Sequence, residues 1–180
     1  MSPAKEEEVR LLLILGSFLV LLLLTPAAQA QESGTIQATA TVVSSLTVTG
    51  SNNLQFGSVT PGTPKAVDKT TIGSAGEWTI TGTASAEVTL DFTLPTELSD
   101  GAAATMPITF SATDASYEDG SGGGQAAPAG VINPAVISTV DLSGAGEMTV
   151  WIGGTVNPGI AQTGGNYSAD VILTVTYTGG

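Results

Sequence analysis

Three acids crowd one stretch of the chain: Asp114, Glu118 and Asp119, with Gly120 directly after. Oxygen-rich loops of this kind are where a hard cation such as calcium would be held. The spacing does not follow the calcium-loop pattern, however. The run Gly120-Ser121-Gly122-Gly123-Gly124 that follows supplies turns rather than ligands, so a solvated, mobile acidic loop is the expectation. A second acidic pair, Glu87 and Asp91, sits four apart on one strand face. Two carboxylates perform glycoside hydrolysis only where they flank a cleft, and here they read as ordinary polar-face residues.

Other chemistry is limited by what is missing. The chain has no histidine and no cysteine, which removes Cys/His nucleophile pairs, the Ser-His-Asp triad and most transition-metal sites. The glycine stretches at 120–124, 153–154 and 164–165 are not followed by lysine or by a helical pattern, so they are turns and not phosphate loops. Trp78, Trp151 and the tyrosines have the chemistry of a sugar-stacking platform, but packing in a core or rim is the commoner use. Asn166-Tyr167-Ser168 fits the glycosylation triplet, which matters only in a eukaryotic secretory route. No enzyme, cofactor or metal site is expected.

The elements that would position these residues follow from composition. Leu11–Leu24 is an almost unbroken apolar run, preceded by Arg10 and followed by Ala28-Gln29-Ala30. It is too short to span a membrane and has the small-x-small end of a secretory signal, although Glu6-Glu7-Glu8 is an unusual leader. Residues 1–30 are expected to be a cleaved signal peptide and residues 31–180 a single exported domain, periplasmic, surface-bound or extracellular. That domain keeps Lys65 and Lys69 against thirteen acids, a net charge of −11. So acidic a surface repels nucleic acid and anionic lipid, and no membrane partner is expected after cleavage.

The exported part reads as short alternating strands separated by Gly, Pro, Asn and Asp, with no long helical pattern. In Glu87–Leu94, Val88, Leu90, Phe92 and Leu94 share one face, and Pro95 ends the strand. Glu77–Thr81, Glu147–Ile152, Leu54–Val59, Thr105–Phe110, Thr139–Leu142 and Ser168–Tyr177 complete the set, with Ala112–Gly130 as the main irregular stretch. Eight or nine strands predict an all-β, antiparallel two-sheet sandwich.

The first strand is the odd one. From Thr35 to Thr49 apolar and polar residues alternate for fifteen residues, about 50 Å at 3.3 Å each. Leu46 and Val48 are assigned to the domain's own core. Ile36, Ala38, Ala40 and Val42 are candidate donor-strand contacts, side chains that would enter the sheet edge of a neighbour.

Three stretches in order carry a resemblance: LQFGSVTPG (54–62), EWTITGTASAEVTLDFTLP (77–95), and MTVWIGGTVNP with GGNYSADVILTVTY (148–177). Together they resemble the bacterial secreted family called domain of unknown function 4402. Ile152 replaces the valine common before Gly153-Gly154, Val156 replaces a leucine, and Ala169 stands where glycine is common. More distantly the chain is similar to spore coat protein U-like domains and chaperone–usher pilus subunits. That resemblance implies an immunoglobulin-like or pilin-like sandwich and a fimbria-like surface subunit active in cell adhesion, partnered by copies of itself as a homopolymer or by an export chaperone. Such pilins often carry a disulfide, which this chain lacks. The competing expectation is a monomeric secreted module that binds a cell-envelope component or polysaccharide.

Overall fold

The computed structural model describes residues 31–40 and 45–178. These fall in two units, taken separately here. Gln31–Ala40 forms no regular secondary structure, and its side chains are exposed, Ile36 at 92%. The strand expected over Thr35–Thr49 is therefore corrected: regular pairing starts at Thr47, and residues 41–44, Val42 among them, lie outside the described residues. Alternation states which face of a segment can be buried. A strand also needs a neighbouring edge to satisfy its backbone, and sequence does not supply that.

The main unit is all-β, an antiparallel sandwich with no helix among the described residues. Its twelve strands are β1 (Thr47–Asn52), β2 (Lys65–Val67), β3 (Gly76–Thr81), β4 (Glu87–Thr93), β5 (Glu97–Ser99), β6 (Thr105–Thr109), β7 (Ala115–Glu118), β8 (Gly130–Ile132), β9 (Ser138–Asp141), β10 (Glu147–Ile152), β11 (Gly154–Val156) and β12 (Ile172–Tyr177). They form three sheets rather than two: β1-β3-β10-β7-β8, β12-β4-β9 and β2-β11-β6-β5. The last two are linked by chain continuity from β4 through Pro95 to β5, and by an isolated bridge between Ser99 and Ser168. Proline cannot donate to a ladder, so β4 stops pairing just before it.

The main core lies between the first two sheets. Ile80, Met148, Val150 and Ile152 of the five-stranded sheet share it with Val88, Leu90, Phe92 and Leu173 of the three-stranded one. Each such side chain contributes about 1.5–3 kcal/mol when fully buried, so this cluster dominates stability. Leu46 and Val48 pack against it, as their alternation requires. Trp151 points the other way yet is also buried; its Nε1 donates to Glu77 Oε2 at 3.0 Å across the β10–β3 pair.

Two further expectations are corrected. Leu54–Val59 is not a strand: Leu54, Phe56 and Val59 are partly buried, but its one backbone–backbone hydrogen bond runs from Gln55 N to Ser74 O at 2.8 Å, and Ser58 O accepts from Lys65 Nζ at 2.9 Å. Gly57 breaks the run with φ 61, a left-handed conformation outside the extended region of a regular strand. Within Ala112–Gly130, residues 115–118 form β7. Ala115 and Ser116 are both fully buried, on opposite faces, so no alternation was there to be read.

A smaller core of Met106, Ile108 and Val156 lies under the four-stranded sheet. One run of chain serves both cores. β10 leaves the five-stranded sheet at Ile152, passes Gly153, and enters the four-stranded sheet as β11. A side chain at Gly153 would meet the backbone of Val67, Asp68 and Lys69, with Lys69 N 2.8 Å away. Gly153→Ala is expected to lower unfolding free energy by about 1–3 kcal/mol, measured by urea denaturation. Gly144→Ala, where nothing lies within 4 Å, is the neutral control.

Candidate functional site

The site begins where β1 ends. Its register with β3 shifts between Gly50 and Asn52, and Asn52 Nδ2 donates to Ala75 O at 2.7 Å, turning the chain away from the sheet. Residues 53–59 then run on without a ladder, lending Leu54, Phe56 and Val59 to the smaller core. From the C-terminal side, residues 162–171 approach β12. Tyr167 holds this segment: its Oη donates to Thr163 O at 2.7 Å and accepts from Gln162 Nε2 at 2.8 Å. Ser168 exchanges two backbone hydrogen bonds with Ser99, at 2.9 and 3.0 Å.

Both segments line a groove of about 1260 Å3. Leu54, Phe56, Val59 and Leu98, partly exposed over the buried Met106, Ile108, Ile152 and Val156, contribute its apolar side, and Asn52, Asn53, Gln55 and Asn166 a polar one. The strands that lead into it, β1 and β12, are each the terminal strand of a sheet, so each offers one row of unpaired backbone groups. The two meet at one end. Tyr177 Oη donates to Ser45 O at 3.1 Å and accepts from Thr83 N at 2.7 Å. The groove's charged lining is Glu77 and Asp170, both acidic, so it does not suit an anion. It has the chemistry to receive an extended, uncharged chain: backbone bonds along an edge and apolar contacts beneath.

The acidic residues singled out in the sequence are not brought together. Asp114 accepts from Ser111 N and Ser111 Oγ, both at 2.7 Å, and Asp119 from Ser121 N at 2.9 Å. Among the described residues no three acids form a cation cage. The glycine run folds around Glu118. Its Oε1 accepts from Gly120 N and Gly122 N, both at 2.8 Å, and its Oε2 from Gly124 N at 3.0 Å. Glycine permits this: at Gly122 a Cβ would lie 2.6 Å from Ala129 N. The Gly122 N–H first, and the other two after it, hold the Glu118 carboxyl below its ordinary value of 4.5.

Glu87 and Asp91 stand on the exposed face of β4, opposite Asp141 and Thr174, with no cleft between them. The aromatic residues do not form one platform. Trp78 meets Phe92 edge-on at 5.9 Å, Trp151 is buried on the opposite face, and Tyr167 and Tyr177 hold different segments. Of the candidate donor residues, Ile36, Ala38 and Ala40 are exposed, and Val42 lies outside the described residues. The groove residues at 162–167 had no periodicity to reveal them; Gly164-Gly165 before Tyr167 was the one local signal.

Because the folded Glu118 carboxyl is more acidic than the unfolded one, the ordering it gives is complete above about the ordinary glutamate value and lost as pH falls through the folded one. Amide exchange at Gly120, Gly122 and Gly124 is expected to accelerate as pH falls below that value, after correction for intrinsic rates, and Glu118→Gln is expected to remove the acid step. Tyr177→Phe, which strips two partners at once, is expected to cost about 1 kcal/mol and to raise exchange at Thr83. Compared with protein-family models and with curated proteins, the sequence matches none of either.

Proposed function

We propose that this chain is an exported structural subunit that assembles by strand donation, an extended N-terminal segment of one copy completing the sheets of the next. The observation that carries this reading is the groove where β1 ends and residues 162–171 approach β12, beside a smaller core whose cover, residues 53–59, pairs with no strand. The candidate donor fits its chemistry. Residues 35–42 are uncharged and alternate apolar with polar, so they meet no repulsion from Glu77 or Asp170. The small side chains of Ala38 and Ala40 suit the middle of a strand lying close over a floor, with Ile36 and Val42 as the larger anchors. Backbone hydrogen bonds along the edge would each add about 0.5–1.5 kcal/mol.

A second reading draws on the groove's polar residues. Asn52, Asn53, Gln55 and Asn166 beside Trp78 and Tyr167 are also the equipment of a secreted module that binds a neutral polysaccharide.

Trp78 lines the groove and Trp151 is buried elsewhere, which gives a direct readout. A chain starting at Ser45 is expected to bind a synthetic 35–43 peptide with a change in tryptophan emission that Trp78→Phe abolishes. Aspartate at positions 36 and 40 of the peptide is expected to prevent binding. The longer form starting at Gln31 is expected to form detergent-resistant ladders. Emission that ignores the peptide but responds to neutral glycans would replace strand donation with the second reading.

A further inference from the structure

Six of the twelve strands end a sheet, and they do not protect themselves alike; β12, also uncharged, leads from the groove already described and is set apart. Free edges invite pairing with another chain, and proteins blunt them with charge, bulges or brevity. β2 carries Lys65, β5 carries Glu97 and β9 carries Asp141. β1 carries the register shift at Gly50–Asn52. β8, the far edge of the five-stranded sheet, is short but carries neither a charge nor a bulge. Residues 120–140 contain no charged side chain at all, in a region of chain with a net charge of −11.

This edge is also apolar on its surface. Val131, at the centre of β8, is 54% exposed, and the turn after it exposes Val136 at 56% and Ile137 at 63%. Asn133 fixes that turn, accepting from Ala135 N at its Oδ1 (2.9 Å) and from Val136 N at its carbonyl (3.3 Å). The backbone of β8 bonds to β7 on one side through the pairs Ala115–Ile132, Ser116–Val131 and Tyr117–Gly130. No other backbone partner is formed by Gly130, Val131 or Ile132 among the described residues.

We propose that β8 is a self-association edge: two copies of this chain pair β8 with β8, antiparallel, about a two-fold axis through Val131. Charge selects the partner. Two chains that are both strongly acidic repel over most of their surfaces, and an uncharged edge is where they approach at least cost. A basic partner would gain nothing there and would seek the acidic faces instead. Three residues are too few to hold by backbone alone, and the two-fold sets Val131 against Val131, with Val136 and Ile137 of both copies available to exclude water. The inference does not rest on strand donation, which uses different edges. Where both operate, β8 would join strands of subunits side by side.

The absence of cysteine makes the test clean. The full chain is expressed in an exporting bacterial host and purified in whatever processed form it takes. In the full chain carrying Ile36→Asp and Ala40→Asp, which cannot donate a strand, sedimentation velocity at high micromolar concentration is expected to show a reversible dimer. In Val131→Cys, oxidised glutathione is expected to trap that dimer as a disulfide, whereas Ile72→Cys, more open to solvent still, is not trapped. Val131→Lys or Ile137→Lys is expected to weaken the dimer roughly tenfold or more, with circular dichroism unchanged; two separate sites guard against a variant that merely unfolds. Ile36→Asp with Ala40→Asp removes the donor segment and is expected to leave the β8 dimer intact. A monomer at all concentrations, an untrapped Val131→Cys, or association abolished by the donor-segment changes but not by either lysine overturns the inference. The last of these outcomes would leave the proposed function standing.

Discussion

The structure depends on one run of chain that belongs to two sheets. From Glu147 to Val156 the backbone passes from the centre of the five-stranded sheet into the four-stranded one, and Gly153 is the point of transfer. Met148, Val150 and Ile152 are thereby committed to the main core and Val156 to the smaller one. Backbone crowding at Gly153 leaves no room for a side chain, so the crossing fixes how the two cores lie against each other. A shift there would move both.

The groove follows from that arrangement. The main core is covered on both faces by well-paired strands, and its cluster includes many fully buried side chains. The smaller core has three buried members, and much of its remaining cover is a segment, residues 53–59, that pairs with no strand. Apolar surface held by an unpaired segment is where a further strand would add both hydrogen bonds and burial. Asn52 and Tyr167 keep the two lining segments in place by side-chain bonds to backbone, so the groove does not need a strand to hold its walls.

Electrostatics work mostly by exclusion. The acids near the glycine run are each satisfied by their own turns, and Glu118 orders a loop instead of a ligand. Where charge is absent, along β8 and along the candidate donor segment, the chain has apolar alternation or an open edge. Strongly charged surfaces keep copies apart, and the uncharged stretches are where contact between copies costs least.

Strands with one buried face were legible from sequence almost to the residue: β4 and β10 begin and end within a residue of the alternation in Glu87–Leu94 and Glu147–Ile152. That signal is local, because side chains two apart share a face whatever the strand pairs with. β7 was not legible, since burial on both faces erases the alternation. The segments 35–40 and 54–59 show the converse: alternation without a ladder. Sequence by itself determined the β class, the net acidity and the absence of histidine and cysteine, all properties of residue types and their near neighbours. Only the tertiary structure decided which alternating segments found partners, that β10 would cross between sheets, and that Glu118 would gather three glycine N–H groups. Those outcomes depend on contacts between residues distant in the chain, and hydrogen-bond pairing is won by whichever edge the fold brings near.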